Sequence, residues 1–272
     1  MQDVVVGVTA GRRAEQLAGA LERRGARTVV GPTVGGDEPV PDADLAVATD
    51  VIVAAAPDWL VANTGAGMRL WIDAAERTGR LLAFRALVER ARCVARGAKA
   101  VSGLRRLGVE PEWIPDGQTD AEVVRRLRCE AEEGQTVAVQ LHGSPTSHPY
   151  GDLRSKVSVL TITPYLSVLP EDLQPAQELI ARTLAGDVDV VTFTSPSAVR
   201  GLFTIAEQAS PEQPEQLRHL FRERVAVAAI GSVTRSALEG LGVAVTIVPL
   251  RPRNGALVSA IEEWTAARLP RA

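Results

Sequence analysis

The sequence predicts an α/β protein of two similar, mainly parallel-sheet units, and three observations carry that expectation. Short runs of β-branched residues alternate with helix-length amphipathic stretches, the pattern left by strand-helix-strand crossovers. A set of residues recurs in register 134 positions further along the chain. The 272 residues also make about two domains at about 150 residues each.

Val4 to Val8 reads as a buried strand, followed by Thr9-Ala10-Gly11 and a helix whose Ala14, Leu17, Ala18 and Leu21 fall at helical spacing. Gly25 ends that helix, and Thr28 to Val30 forms the next strand. The stretches from Pro32 to Asp44 and from Ser167 to Pro175 are rich in turn and breaker residues, so both are expected to cross between the units.

The repeat organises the rest. Ala91 to Gly97 lies over Val225 to Gly231, and the register continues through Ser102 on Ser236, Leu104 on Leu238, Gly108 on Gly242, Val109 on Val243, Pro115 on Pro249 and Val124 on Val258. Each copy reads as strand, glycine loop, helix ending in Leu-Gly-Val, strand, proline, loop and helix. Asp58 to Gly65 matches Asp189 to Pro196 at an offset of 131. The strand pair within Val4 to Val30 matches Val137 to Gly143 followed by Val157 to Ile162.

With 30 basic and 33 acidic residues the net charge is −3, which gives no electrostatic footprint for a nucleic-acid backbone. Cys93 and Cys129 have no metal-binding spacing and read as small, at least half-buried apolar side chains in a reducing compartment. Neither an export signal nor an apolar run of about 20 residues occurs, so the cytoplasm is the expected location and no membrane partner is expected. The expected oligomeric state is a monomer.

In parallel α/β sheets ligands bind beyond the carboxyl ends of the strands. Six post-strand loops are therefore candidates: Thr9 to Arg13, Asn63 to Gly67, Gly97 to Ala100, Gly143 to Ser147, Thr194 to Ser197 and Gly231 to Thr234. Their small residues, glycines and hydroxyls precede helices, where backbone N–H groups favour anions. Together they point to a polyanionic ligand. There is no dinucleotide glycine fingerprint, because Gly65-Ala66-Gly67 lacks the third glycine and its acidic partner, and there is no Walker loop. The three histidines do not cluster in sequence, so neither a metal nor an organic cofactor is expected. Tyr165 follows Pro164 after the strand Val157 to Thr163. Its phenol, protonated at neutral pH, can either donate to a departing group or stand at an edge in water. Tyr150, in the His142 to Gly151 loop, is expected to matter little.

These residues resemble those of uroporphyrinogen-III synthases over nearly the whole chain. The resemblance rests on Asp189 to Val199 with its Ser195-Pro196 helix start, on Ala228 to Leu238 followed by Gly242, and on Thr161-Ile162-Thr163-Pro164-Tyr165. It implies two doubly wound, flavodoxin-like parallel-sheet domains joined by two extended linkers, with the active-site cleft between them. One domain would comprise residues 1–34 plus 168–272, and the other 35–167. The implied activity is cyclisation of the linear tetrapyrrole hydroxymethylbilane with loss of water and inversion of ring D, a cofactor-free lyase reaction in tetrapyrrole biosynthesis. Tyr165 would be the catalytic donor to the leaving hydroxyl. Thr64, Gly65, Gly97, Lys99, Gly143, Ser144, Thr194, Ser195, Ser197, Gly231, Thr234, Arg12 and Arg13 would bind the substrate carboxylates. Two departures from the family pattern stand out: Ala100 replaces the hydroxyl that Thr234 supplies in the other half, and Arg12-Arg13 comes later than the arginine that often follows the first-loop threonine. The alternative is a non-catalytic domain of the same fold that senses a tetrapyrrole.

Overall fold

The computed structural model describes residues 1–143 and 148–268. The chain opens with β1 (Val5–Val8), α1 (Ala14–Glu22) and β2 (Arg27–Val30), then passes through β3 (Gly36–Pro39). A continuous central segment follows: α2 (Asp42–Ala55), β4 (Trp59–Ala62), α3 (Gly65–Arg77), α4 (Leu81–Arg90), β5 (Arg92–Ala95), α5 (Ala98–Arg106), α6 (Asp120–Glu130), β6 (Thr136–Gln140), a 3-10 helix (Pro149–Leu153) and β7 (Ser158–Ile162). The chain returns through β8 (Tyr165–Val168) to α7 (Gln174–Ala185), β9 (Val190–Phe193), α8 (Pro196–Ala209), α9 (Gln213–Glu223), β10 (Ala226–Ala229), α10 (Ser232–Glu239) and α11 (Asn254–Arg268).

Two compact units result, Met1–Gly36 with Val168–Ala272, and Asp37–Ser167. The first holds a four-stranded sheet in the order β10-β9-β1-β2, the second one in the order β5-β4-β6-β7. All pairings within both sheets are parallel. The correspondences read from the repeat therefore occupy matching sheet positions, β5 with β10, β4 with β9, β6 with β1 and β7 with β2. The two passages of chain between the units lie within a two-stranded ribbon, β3 with β8. It runs antiparallel, since Gly35 N–H donates to Val168 O and Val40 N–H donates to Pro164 O.

Short, wholly apolar strands are what a doubly covered parallel sheet demands, because both faces are buried. β1, β4, β9 and β10 are buried at every residue, and alternate side chains supply two different cores. In the first unit Val5, Val191, Phe193 and Val227 pack with Leu179 of α7 and Leu202 of α8, while Val6, Val8, Val190 and Ala228 pack with Leu17 of α1 and Ile261 of α11. In the second, Leu60, Cys93 and Ala138 pack with Trp71, Phe84 and Leu104, and Trp59, Val61, Val94 and Val139 pack with Val123, Leu127 and Leu153. Each large apolar side chain so buried contributes about 1.5–3 kcal/mol.

The Leu-Gly-Val turns close α5 and α10 in the same way. Gly108 (φ +85) and Gly242 (φ +76) both lie in the left-handed region. Val109 N–H reaches back to Leu104 O at 3.1 Å, and Val243 N–H to Leu238 O at 3.0 Å. Alanine in that conformation costs about 1–2 kcal/mol. Gly242→Ala should therefore lower the stability of the first unit by that amount, and an unchanged midpoint in a urea titration would contradict the turn geometry.

Three expectations need correction. The strand expected after each Leu-Gly-Val turn is reduced to a single bridge, Val94 to Trp113 and Ala228 to Ile247, because β5 and β10 are edge strands meeting only a short extended stretch. The β6-to-β7 crossover, matched in sequence to the helical one of the first unit, carries only the 3-10 helix among its described residues. Cys129 is exposed on α6, whereas Cys93 is buried, and burial, with Glu112 adding to it, pushes the Cys93 thiol up to about 12.

Candidate functional site

Parallel strand order gathers the candidate loops unit by unit. In the first unit adjacent strands β10, β9 and β1 lead into Gly231 to Thr234, Thr194 to Ser197 and Thr9 to Arg13, side by side at one sheet edge. Ser195 caps α8, its Oγ accepting from Ala198 N–H at 3.1 Å, with Pro196 at the first helical position. Ser197 Oγ accepts from Arg200 Nη2 at 3.3 Å. Thr194 is half-buried, and Thr234 is buried in the first turn of α10, which Gly231 precedes. Arg12 and Arg13 are exposed, and Arg13 holds a left-handed φ of +58 at the start of α1. Not every hydroxyl there is available: Thr9 Oγ1 donates to Thr192 O at 2.7 Å, and Thr33 Oγ1 to Ala198 O at 2.7 Å.

In the second unit the same edge carries the loops after β5, β4 and β6. Thr64 caps α3 by accepting from Gly67 N–H at 3.0 Å. Gln140 Oε1, at the end of β6, accepts from the N–H groups of Asn63 and Thr64 at 3.1 and 2.9 Å. The Thr64 amide expected to face a ligand is thus already engaged. A Cβ on Gly65 would stand 2.3 Å from Lys99 O, so glycine lets the loop bearing Gly97 and exposed Lys99 close onto the Thr64 loop. Gly143 has φ +65 and forms a parallel bridge with Leu166, its carbonyl accepting from Ser167 N–H at 2.9 Å. One residue upstream of that bridge on each path stand His142 and Tyr165, and Tyr165 is 7% exposed. Ser144 lies outside the described residues.

At the same edge the structure assembles a polar cluster that sequence spacing does not reveal. Asp120, the first residue of α6, accepts from Arg96 Nη1 at 3.1 Å, from His142 Nε2 at 3.1 Å and from the Tyr150 hydroxyl at 3.2 Å. Tyr150 is fully buried, and its one hydroxyl hydrogen is shared between Asp120 and Asn63 Oδ1, which lies 2.8 Å away, so it is a buried hydrogen-bonding residue. Burial alone would raise the Asp120 carboxyl, but the His142 hydrogen bond and the Arg96 charge outweigh it and hold the group at about 2. Burial, and then the neighbouring Asp120 charge, push the Tyr150 hydroxyl well above its usual range, so it stays a donor. One signal for this cluster was present: Thr119-Asp120-Ala121-Glu122 is a capping box that places Asp120 at a helix start, as the structure shows. Arg96, at the end of β5, directly precedes the Gly97 loop.

Among the described residues no three His, Cys, Asp or Glu side chains gather as they would around a metal ion. No described helix is long and apolar enough to cross a membrane.

The comparisons with known proteins agree on one family. The family model described as "Uroporphyrinogen-III synthase HemD" matches residues 15–259. The uncharacterised protein YjjA of Bacillus subtilis is 30% identical over 262 residues, 95% of each chain. Among solved structures, a mutant uroporphyrinogen III synthase from Thermus thermophilus superposes with a TM-score of 0.77 at 25% identity, over 97% of this chain and 100% of that one. The wild-type enzyme from the same bacterium gives 0.67 at 26% identity, over 97% and 98%. With a two-unit parallel α/β fold, matched strand-end loops and a family match spanning nearly its whole length, this chain belongs to the uroporphyrinogen-III synthase family.

Proposed function

We propose that the chain is itself a uroporphyrinogen-III synthase, a lyase that closes hydroxymethylbilane into a ring while inverting its last pyrrole and releasing water. The observation that most supports this reading is the placement of Tyr165 one register step from Gly143, at the sheet edge where the loops bearing Thr64, Gly65, Gly97 and Lys99 also end. Cytoplasmic location belongs to the same reading, and the free thiols Cys93 and Cys129 accord with it.

The substrate carries carboxylates on every pyrrole. A chain of net charge −3 holds them through helix-start amides and hydroxyls at Ser195, Ser197, Thr194, Gly231 and Thr234 and through Arg12, Arg13 and Lys99. Charge-assisted hydrogen bonds contribute about 1.5–3 kcal/mol each. The Tyr165 hydroxyl gives its proton to the hydroxymethyl oxygen of ring A, which leaves as water. The pyrrole nitrogen supplies the electrons, and the substituted carbon of ring D attacks the resulting methylene to give a spiro intermediate. Fragmentation and reclosure then invert ring D. What remains for the protein is geometry. A hundredfold preference for inversion over direct closure needs about 2.7 kcal/mol.

The test is to supply freshly made hydroxymethylbilane and separate the uroporphyrinogen isomers, expecting isomer III in excess of the spontaneous isomer I. Tyr165→Phe should lower that rate about ten- to a thousandfold, with the ring and its packing retained. Full turnover by Tyr165→Phe would pass the donor role to another group. Tight binding of the substrate with no isomer III from the wild-type chain would instead favour a non-catalytic tetrapyrrole sensor.

A further inference from the structure

The cluster around Asp120 contains a histidine arranged to move a proton. Asp120 is ionised and can only accept, so the His142 nitrogen facing it at 3.1 Å, Nε2, must carry the hydrogen. In the neutral imidazole this fixes the tautomer and leaves Nδ1 with its lone pair. No described residue hydrogen-bonds that Nδ1, and the side chain is 17% exposed. A carboxylate that orients one nitrogen of an imidazole while the other is free to act is the arrangement of a general base.

Two further observations bear on this position. His142 and Tyr165 stand at matching backbone positions, each one residue before the Gly143–Leu166 bridge. In the same cluster Asn63 is 3% exposed, yet its Nδ2 has no hydrogen-bond partner among the described residues, while its Oδ1 is taken by Tyr150. A buried amide donor left unmatched is costly, and a ligand oxygen would satisfy it.

The proposed reaction needs a base as well as an acid. When the ring-D carbon that completes the macrocycle forms its new carbon–carbon bond, it still carries a hydrogen. That hydrogen leaves as a proton, and the C–H electron pair returns to the pyrrole. Resting on the synthase reading, we propose that His142, oriented by Asp120, is the catalytic base that takes this proton on Nδ1. One proton is given by Tyr165 to the departing hydroxyl and one is taken by His142, so the balance is a single water. Solvent then carries the proton from imidazolium back to tyrosinate. Asp120 of α6 hydrogen-bonds the imidazole, and through Asp120 the ring is joined to Arg96 at the end of β5 and to Tyr150 of the 3-10 helix, whose ring lies 6.0 Å from that of His148.

The decisive variant is His142→Gln, whose amide can still donate to Asp120 from nearly the position of Nε2 but offers no base. It should lower kcat for isomer III about a hundredfold or more, with KM within about threefold. With deuterium on the ring-D carbon that closes the macrocycle, the isotope effect on kcat should rise in the variant. A purely structural role for His142 would move none of these at unchanged melting temperature. Wild-type activity with full turnover and no isotope effect in His142→Gln removes this proposal alone, whereas a wild-type chain that forms no isomer III removes the synthase reading and this proposal with it. Should His142→Gln not fold, His142→Asn decides by the same readings, and full turnover with no isotope effect in it overturns the proposal.

Discussion

Asp120→Ala should cost about 3–5 kcal/mol at neutral pH, the penalty typical of removing one member of a buried ion pair. The carboxylate accepts from Arg96, His142 and Tyr150 at once and is 17% exposed, so its removal strands a guanidinium and a phenol away from water. The pH dependence has a definite direction. The carboxyl is held at about 2 in the fold, against 3.8 for an unperturbed group. The stability it contributes is present in full above about pH 4 and is lost as pH falls through about 2. At 1.36 kcal/mol per unit that part amounts to roughly 2 kcal/mol. Urea titrations at pH 7 and near pH 2 should therefore show the gap between wild type and Asp120→Ala narrowing by about that much. A gap equal at both values would mean that the charge of Asp120 contributes nothing to stability.

Trp71→Ala should destabilise the second unit to a similar extent, by about 3–5 kcal/mol. Trp71 is fully buried on α3, stacks on Phe84 with ring centroids 4.1 Å apart, and donates from Nε1 to Thr49 Oγ1 at 2.9 Å. Truncation opens a cavity at the centre of the α2-α3-α4 layer and takes away the donor to Thr49. Trp71→Phe keeps most of the volume and should cost less than half as much. Trp59 and Trp113 remain as fluorescent reporters in the same unit, and Trp264 reports on the other. If Trp71→Ala moved only the Trp264 transition, or neither, the packing described for this layer would be wrong.

The parts of the fold that were legible in sequence are those set by local chemistry. The apolar run of β1, the helical spacing of Ala14, Leu17, Ala18 and Leu21, and the glycines that must be left-handed at Gly108 and Gly242 all announce themselves within a few residues. The repeat added spatial order, because duplicated segments take equivalent sheet positions. α2 was not legible: Val47 and Val51 are 64% and 54% exposed, so its apolar residues do not mark one buried face. The ribbon strand β3, Gly36-Asp37-Glu38-Pro39, is polar and held by pairing with β8, which no local pattern encodes.

The candidate site divides along the same line. Caps such as Ser195 and Thr64 were readable because a hydroxyl before a helix has a local function. Asp120, His142, Tyr150 and Asn63 were not, since they lie up to 87 residues apart and meet only at the strand ends. Histidines with no near neighbour in sequence gave no sign of a buried carboxylate partner. Gln140, which takes the Thr64 amide, looked like one more strand residue.

The discontinuity of the first unit bears on how the chain folds as it is made. Residues Asp37–Ser167 form a continuous unit, able to close as soon as they leave the ribosome. The first unit cannot. Its β1 pairs with β2 nearby, but its other edge waits for β9, where Val6 meets Val190. Until about 180 further residues have been synthesised, β1 presents an unpaired backbone edge and an apolar face, the kind of surface that recruits chaperones or neighbouring nascent chains. The order of synthesis thus makes the inserted unit the first to acquire its structure and the discontinuous unit the one exposed to misassembly.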